Sequence, residues 1–585
     1  MKIRVIYILL LSCSYHYSIS QVTNSVLNSG LWYKIGVLEK GIYKIDKPFL
    51  EKLGINSDDI DPRNLALYGN GGNGMLPQSN SAFRYADLIE NSVYFEGEND
   101  GSFDATDYLL FYGNSPDLIE YNPETDFFNY ETNLYSDTTF YFLTIKESPG
   151  LRISTKKNTT NDFTKVTSFK GVHIHETDQT NLIQGGRMWF GELFSSSQPS
   201  RTFTFPTDGI KPNAQIKIGI SVMAQGFSNT SFDIGLNGLS LGNIPLKSVP
   251  NSTYSVKGDI EYAEYSTNTS QLSNVNSLNL EIIYNSSSST GFLDYIVIQV
   301  EKELKLIGSS LLFYNTSGLD NATFEFSTGT SNIAIWDVSN YRNPVSVEFD
   351  FTGEKAIFDV DNSQIEFVSF SGSDFPSPDA FKKVDNQNLH SLTSADALFI
   401  THDKFKTQAQ HLKVHRETMM QQQGNSDFTI QLVTVNEIYN EFSSGIQDLS
   451  AIRDFVKHIY DKNPEKLKYL LLFGDCSYDY KGRSIQETNF VPVYEARNSL
   501  HPLFNFSSDD FYGFMEDHEG EWIEDKSGDH TLEIGIGRLP VKTENEAIDV
   551  VNKIIRYETS INTFGKWRNE MLFIADDGDN NIHQR

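Results

Sequence analysis

Apolar and polar positions alternate along the first two thirds of the chain, and the period changes in the last third. Short strand-like runs recur at 31–37, 42–45, 65–68 and 108–112, separated by turns rich in Gly, Asn and Asp. Alternation with a period of two sets one face of a strand on a core and the other in water. Residues 49–53 suffice for a short helix only. Further runs at 215–222, 231–236, 278–284 and 292–300, spaced by Asn, Ser, Thr and Gly turns, predict an antiparallel sandwich. A third group lies at 322–326, 332–336, 345–351, 355–358 and 365–369, and the proline-bearing stretch 371–378 reads as a loop leading out of it.

From about residue 391 the pattern is different. Residues 397–401 are an apolar run, a polar helical segment follows, and 428–435 is again rich in strand formers. Between 449 and 460, Ile452, Phe455, Val456 and Ile459 recur at helical spacing. Tyr469-Leu470-Leu471-Leu472-Phe473 is apolar on both faces, as a parallel strand covered by helices requires, and Gly474-Asp475 closes it. A loop-rich stretch precedes a strand at 532–536 and a helix at 544–557, and 571–575 starts another strand. The β-α-β-α-β order predicts a doubly wound sheet whose functional groups sit beyond the strand carboxyl ends. The chain is therefore expected to be multidomain. A β-rich domain covers 21–150, a β-sandwich 151–310, a small β domain with a linker 311–390, and an α/β domain 391–585.

Residues 1–20 read as a secretory signal: Lys2 and Arg4, an apolar core over 5–11, and Ser18-Ile19-Ser20 at a cleavage site. A rival reading makes Leu10-Leu11-Ser12-Cys13 a lipoprotein signal with Cys13 lipidated. Both predict export. No other stretch is long and apolar enough to cross a membrane. The chain has 585 residues, 47 basic and 77 acidic, for a formal net charge of −30. No basic patch stands out, so nucleic acid is not an expected partner. Cys13 and Cys476 are the two cysteines, so loss of the signal leaves no disulfide within the mature chain.

Three sets of residues carry candidate chemistry. Residues 96–107 set Glu96, Glu98, Asp100, Asp104 and Asp107 at positions 1, 3, 5, 9 and 12 of a calcium loop, with Gly101 at the turn position. Calcium is the one cofactor this suggests, and no organic cofactor is indicated. Glu at position 1, the short Asp at position 12 and the strand-like flanks depart from the pattern. An acidic hairpin turn at Asp100-Gly101 is the bland alternative. His402 and Cys476 each follow a strand of the α/β domain, where a thiol and an imidazole base would serve a cysteine peptidase. The alternative is a small loop cysteine and a surface histidine. His411 and His415 share a helix face but lack a third metal ligand, and His583 has no evident partner. Asp475, Asp509, Asp510, Asp576, Asp577 and Asp579 cluster near strand ends, either as caps and turns or around a cation or a basic side chain.

Three stretches of the α/β domain resemble the gingipain family of cysteine peptidases: Lys468-Tyr469-Leu470-Leu471-Leu472-Phe473-Gly474-Asp475, Ile534-Gly535-Ile536-Gly537-Arg538-Leu539-Pro540, and Val551-Asn552-Lys553-Ile554-Ile555-Arg556-Tyr557-Glu558. Trp32-Tyr33-Lys34-Ile35-Gly36-Val37, Gly41-Ile42-Tyr43-Lys44-Ile45, Tyr68-Gly69-Asn70-Gly71-Gly72, Phe103-Asp104 with Asp107-Tyr108, and Tyr135-Ser136-Asp137-Thr138 narrow the resemblance to the sortases of the type IX secretion system. The resemblance implies a caspase-like, gingipain-like α/β domain, incomplete at its C-terminal end. It also implies a cell-surface cysteine endopeptidase or sortase that removes C-terminal sorting domains from secreted cargo and attaches the cargo to the outer membrane. Its partners would be those cargo proteins and outer-membrane secretion components of a Gram-negative bacterium. In that family the catalytic His and Cys lie in the second half of the catalytic region, and 391–565 resembles the first half. On this reading neither His402 nor Cys476 is catalytic, and no catalytic residue is assigned within the chain. The alternative is a non-catalytic surface or assembly protein that keeps the scaffold for binding.

Overall fold

The structure is a computed structural model that describes residues 22–159, 161, 163–483, 488–522, 530–576 and 578–581. The expected signal segment, Cys13, Asp577 and His583 lie outside these residues.

In the first unit one sheet runs, in spatial order, Asp379–Val384, Trp32–Val37, Thr139–Ile145, Leu65–Tyr68 and Glu90–Asn91. A second sheet orders Gly41–Asp46, Tyr108–Gly113 and Tyr94–Glu96. Their inner faces bury Ile35, Val37, Leu65, Leu67, Phe111, Tyr141 and Leu143. The edge strand Asp379–Val384 comes from the expected linker, more than three hundred residues away in the chain. It pairs antiparallel with Trp32–Val37. Gly36 makes room for it, since a Cβ there would lie 2.5 Å from the Phe381 ring. Phe381 packs edge-on to Phe140 at 5.0 Å.

The second unit is the expected sandwich. Ser168–Glu176, Thr290–Glu303, Gln215–Gln225 and Asp259–Asn268 form one sheet. Ser200–Phe205, Leu278–Tyr284, Thr230–Leu236 and Leu239–Leu246 form the other. Alternate residues of both, among them Ile216, Ile218, Ile220, Phe232, Leu280 and Ile298, meet in the core. The third unit is a pair of sheets around Phe313, Phe324, Phe326, Phe358 and Phe367. Two of its strands, Ser154–Lys156 and Lys165–Val166, precede the sandwich in sequence and pair in parallel with Val345–Val347 and Asn321–Ser327. They fall in the stretch assigned to the sandwich from sequence. Runs of two or three residues leave no local pattern, and the partner strands that fix them lie far along the chain.

The α/β unit holds four parallel strands in the order Ile430–Thr434, Ala397–Thr401, Tyr469–Phe473 and Gly535–Leu539. The alternation along them explains the double winding. Leu398, Ile400, Leu470 and Leu472 face the helices Val435–Phe442 and Leu449–Lys462. Ala397, Phe399 and Phe473 face Lys406–Gln422 and Glu544–Thr559. Thr434 and Glu437 form a reciprocal capping box that starts Val435–Phe442 directly at the end of its strand.

Two expectations shift. The strand foreseen at 532–536 runs over Gly535–Leu539, because Ile534 turns into the core and Glu533 accepts the Met515 N–H at 3.0 Å. Residues 571–575 are not a strand: Met571, Leu572, Phe573 and Ile574 are exposed and without a strand partner among the described residues, and an apolar run becomes a strand only by pairing.

The first unit is fastened to the α/β unit by polar contacts. The Leu76 N–H donates to Asp448 Oδ2 at 2.9 Å, and Asn80 Nδ2 donates to the Phe514 carbonyl at 3.0 Å.

Candidate functional site

The carboxyl end of the Tyr469–Phe473 strand is the most elaborated part of the α/β unit. Gly474 has φ of 150°, and a Cβ there would press at 3.0 Å on Phe490. Its absence lets residues 490 and 491 cross close by, where both N–H groups donate to the Asp475 carbonyl at 3.0 and 3.1 Å. Arg538, from the neighbouring strand, ties this corner together. Its guanidinium donates to Asp509 through Nε at 2.8 Å and Nη2 at 2.6 Å, and to the carbonyls of Gly474, Val491 and Pro492 at 2.9, 2.6 and 3.1 Å. Asp509 is presented by a short 3-10 turn that Ser508 caps.

Cys476 follows in this corner. Burial pushes its thiol up to about 11; the Arg538 charge opposes the shift, and Asp509, Asp475 and Glu495 add to it. A thiol so placed is held protonated, the reverse of what a nucleophile needs. His402 is engaged elsewhere. Its Nδ1 accepts the Lys404 N–H at 3.2 Å, and its ring lies edge-on to Phe490 with centroids 5.3 Å apart. Burial lowers its pKa. The structure sets both residues beyond adjacent strands, as the sequence predicts, but joins them by no hydrogen bond.

A loop of the sandwich closes over the same corner. Gly186 N–H donates to Glu495 Oε2 at 2.8 Å, Arg187 Nε to the Glu495 carbonyl at 2.7 Å, and Met188 N–H to Ser499 Oγ at 2.7 Å. Arg187 also lies over the Tyr494 ring at 4.3 Å. Gly186 has φ of +72°, and a Cβ would fall 2.3 Å from Ser499 Oγ, so only glycine fits this approach. Trp189 then stacks on Tyr478 at 5.7 Å. Beneath the loop, Glu495 takes a hydrogen bond from Ser507 Oγ at 2.6 Å, and burial raises its pKa. Sequence reading missed Arg187, Glu495 and the role of Arg538. The available signals were an arginine inside an otherwise apolar strand and the pair Gly185-Gly186 ahead of an arginine.

The other candidates separate. His415 Nε2 lies 2.7 Å from Glu558 Oε2, binding Lys406–Gln422 to Glu544–Thr559, while His411 is exposed. Asp475 pairs with Lys542 at 3.4 Å, Asp510 is exposed, and Asp576 accepts the Gly578 N–H at 3.1 Å. The side chain of Asp579 lies outside the described residues.

In the acidic segment the five carboxylates diverge. Glu98 is bound by Arg152 through Nε and Nη2 at 2.9 and 2.7 Å. Glu96 accepts the Tyr94 hydroxyl, Asp100 the Ser102 N–H at 3.0 Å, and Asp107 the Asp104 N–H at 2.8 Å. Asp104 itself is exposed. Among the described residues no group of three or more His, Cys, Asp or Glu is placed to hold a metal ion, so the residues of 96–107 do not fit a calcium ion as they stand. No helix among the described residues is long and apolar enough to cross a membrane.

Residues 390–585 match the profile of Peptidase family C25. The crystal structure of dimeric latent PorU from Porphyromonas gingivalis superposes on 96% of this chain with a TM-score of 0.81 and 23% sequence identity. The chain spans about half the length of that protein, 52%. A CBM36-1 domain of a multidomain xylanase from the hindgut metagenome of Trinervitermes trinervoides covers 22% of this chain and 96% of its own length, at 11% identity and a TM-score of 0.14, too slight a likeness to bear on the fold. No curated protein matches the chain. The chain thus has the fold of PorU, its β-rich units leading into a region, 390–585, that is similar to Peptidase family C25.

Proposed function

We propose that this chain belongs to a cell-surface cysteine endopeptidase that acts as a sortase of the type IX secretion system. On this reading it cleaves C-terminal sorting domains from secreted cargo and attaches the cargo to the outer membrane. The observation that carries the proposal is the coincidence of a Peptidase family C25 match over 390–585 with a PorU-like fold over 96% of the chain. Its partners would be cargo carrying those sorting domains and secretion components at the outer membrane. The nucleophile would be a cysteine other than Cys476, since that thiol is held protonated and its neighbours are Arg538 and carboxylates, with no imidazole on it among the described residues. The α/β unit would then supply the scaffold and one wall of the substrate cleft.

The test is made in the source bacterium with the whole gene. Deletion is expected to leave cargo with the sorting domain attached and unanchored, and complementation to restore processing. Cargo of normal mass and surface attachment in the deletion strain would overturn the proposal.

A second reading keeps the scaffold for binding alone, and the buried, protonated Cys476 is what favours it. A thiol-directed, peptide-based covalent probe applied to the full-length protein separates the two. Labelling at a cysteine other than Cys476 supports the peptidase; no labelling, with cargo processed normally in the deletion strain, supports the binding protein.

A further inference from the structure

We propose that the cleft between the first sheet and the start of the α/β unit binds a phosphate or phosphoryl group, held by Lys34 and Lys382. The inference is independent of the peptidase reading. In the antiparallel pair Trp32–Val37 and Asp379–Val384, the register sets Lys34 directly opposite Lys382. Directly opposed residues share a face of the sheet, and like charges there repel. Neither forms an ion pair with a carboxylate among the described residues. The Lys34 ammonium donates to the Gly445 carbonyl at 2.7 Å and sits 3.9 Å from the centre of the Phe140 ring. A carbonyl and a ring face solvate a cation without neutralising it. Lys382 is exposed and forms no ion pair among the described residues.

Both lysines line a cavity of about 240 Å³, together with Lys383 and the amides of Asn386, Asn436 and Asn440. Three acids also border it, and each keeps its charge. Glu437 pairs with Lys406 at 3.2 Å, and Asp403 accepts the Asn436 amide at 2.6 Å. Asp385, next after the edge strand, borders the same cavity as Lys34, Lys382 and Lys383. With Lys406, four lysines face three acids on this lining, one positive charge in excess when Lys34 is charged, in a chain of formal net charge −30. The cleft also lies beyond the carboxyl ends of Ala397–Thr401 and Ile430–Thr434, where doubly wound sheets place their ligands.

Burial, and then the charge of Lys382, lowers the Lys34 pKa to about 7. The groups around it are Lys382 and Lys383 on the edge strand, Asp385 after it, His402 and Asp403 beyond the first parallel strand, and Lys406 and Glu437 on the two helices. An anion seated between the two lysines favours the charged form of Lys34, so binding near neutral pH takes up a proton.

The experiment is isothermal titration of the whole chain with inorganic phosphate at pH 7.5 and low salt, in two phosphate-free buffers of different ionisation enthalpy. A parallel arm uses glucose 6-phosphate. One saturable site is expected, with proton uptake shown by the difference between buffers. Lys382→Ala, a change at an exposed side chain, is expected to weaken binding by about tenfold with an unchanged melting temperature. Lys34→Met should abolish the proton uptake; if that variant does not fold, the Lys382 variant and the buffer comparison carry the test. Binding of inorganic phosphate alone identifies the free ion as ligand, and binding of both identifies the phosphoryl group of a larger molecule. Heats equal to those of chloride at the same ionic strength, or a Lys382→Ala protein that binds phosphate like the wild type, overturn the inference.

Discussion

Arg538 and Asp509 form a two-point ion pair, Nε to Oδ2 at 2.8 Å and Nη2 to Oδ1 at 2.6 Å, at the end of the parallel sheet. The side chains retain 10% and 22% of their exposure. Three backbone carbonyls take the remaining guanidinium protons in this corner. Removing the arginine leaves a largely buried carboxylate and three carbonyls without their donor. Arg538→Ala is therefore expected to cost about 3 kcal/mol. Arg538→Lys should recover little, because an ammonium cannot form the planar fork. Denaturant melts of the two variants check this, and a lysine variant as stable as the wild type would show that charge alone suffices.

Cys476→Ala should behave in the opposite way. Among the described residues the thiol receives no hydrogen bond that alanine would orphan, so stability should change little and cargo processing in the full-length protein should persist. The pH dependence has a definite sign. The folded pKa, about 11, lies above the reference value of 9.0. The protonated thiol's contribution is fully present below pH 9 and is lost as pH rises through 11. Labelling by a small disulfide reagent at pH 8 should accordingly be slow in the native protein and fast in denaturant. Loss of processing in a folded Cys476→Ala protein would place the nucleophile at Cys476 after all.

Much of the scaffold was legible in the chain because it is written in short-range pattern. Leu470 and Leu472 against Leu471 and Phe473 announce two covered faces, and the sandwich strands alternate cleanly. What stayed hidden depends on partners far away in sequence. Asp379–Val384 reads as polar linker until Trp32–Val37 is beside it, and Ser154–Lys156 is too short to read at all. The site followed the same division. His402 and Cys476 could be placed at strand ends from sequence. That Phe490 meets the imidazole, and that Arg538 and three carboxylates surround the thiol, required the fold. Spacing alone aligned five acids in calcium-loop register, and it could not show that Arg152, from beyond the next strands, claims one of them.

Glu441 links the linker to the α/β unit and makes stability pH-dependent. It is 2% exposed, and its carboxylate accepts the N–H groups of Leu389 and His390 at 2.9 and 3.2 Å. His390 Nε2 lies 3.6 Å from it. Burial raises Glu441 to about 7 and lowers His390 to about 3 and His458 to about 4. For the raised glutamate, stability is fully present below its unfolded value of 4.5 and is lost as pH rises through 7. For the depressed histidines it is present above 6.5 and is lost as pH falls toward 4 and 3. Glu441→Gln should lower stability at pH 6, since an amide oxygen replaces two acceptors. It should also flatten the fall between pH 6 and 8, which amounts to roughly 1 kcal/mol in the wild type. Melting curves at the two pH values decide it; an unchanged slope in the glutamine variant would assign the pH dependence to other groups.

Calcium at residues 96–107 has a structural condition attached. The turn Glu98–Asp100 is framed by Gly97 and Gly101, both at positive φ, and it turns Glu98 toward Arg152 rather than toward Asp100 and Asp107. Asp107 is buried, with its carboxylate on the Asp104 N–H and close against Gly97, where a Cβ would lie 2.0 Å from Oδ1. An ion entering here must take Glu98 from a guanidinium that is bound through two nitrogens and also donates to the Leu65 and Pro62 carbonyls at 3.2 and 3.1 Å. Losing those contacts costs about as much as a weak extracellular-type site would return. Calcium is therefore expected to leave the melting temperature of the wild-type chain equal to that in chelator. Arg152→Ala should lower the melting temperature in both conditions, because it removes the partner of Glu98 and four carbonyl contacts, to Pro62, Arg63, Leu65 and Leu151. A calcium-dependent rise in the wild type that Asp100→Ala abolishes would mean that the segment rearranges around the ion, with the Glu98–Arg152 pair given up when it binds.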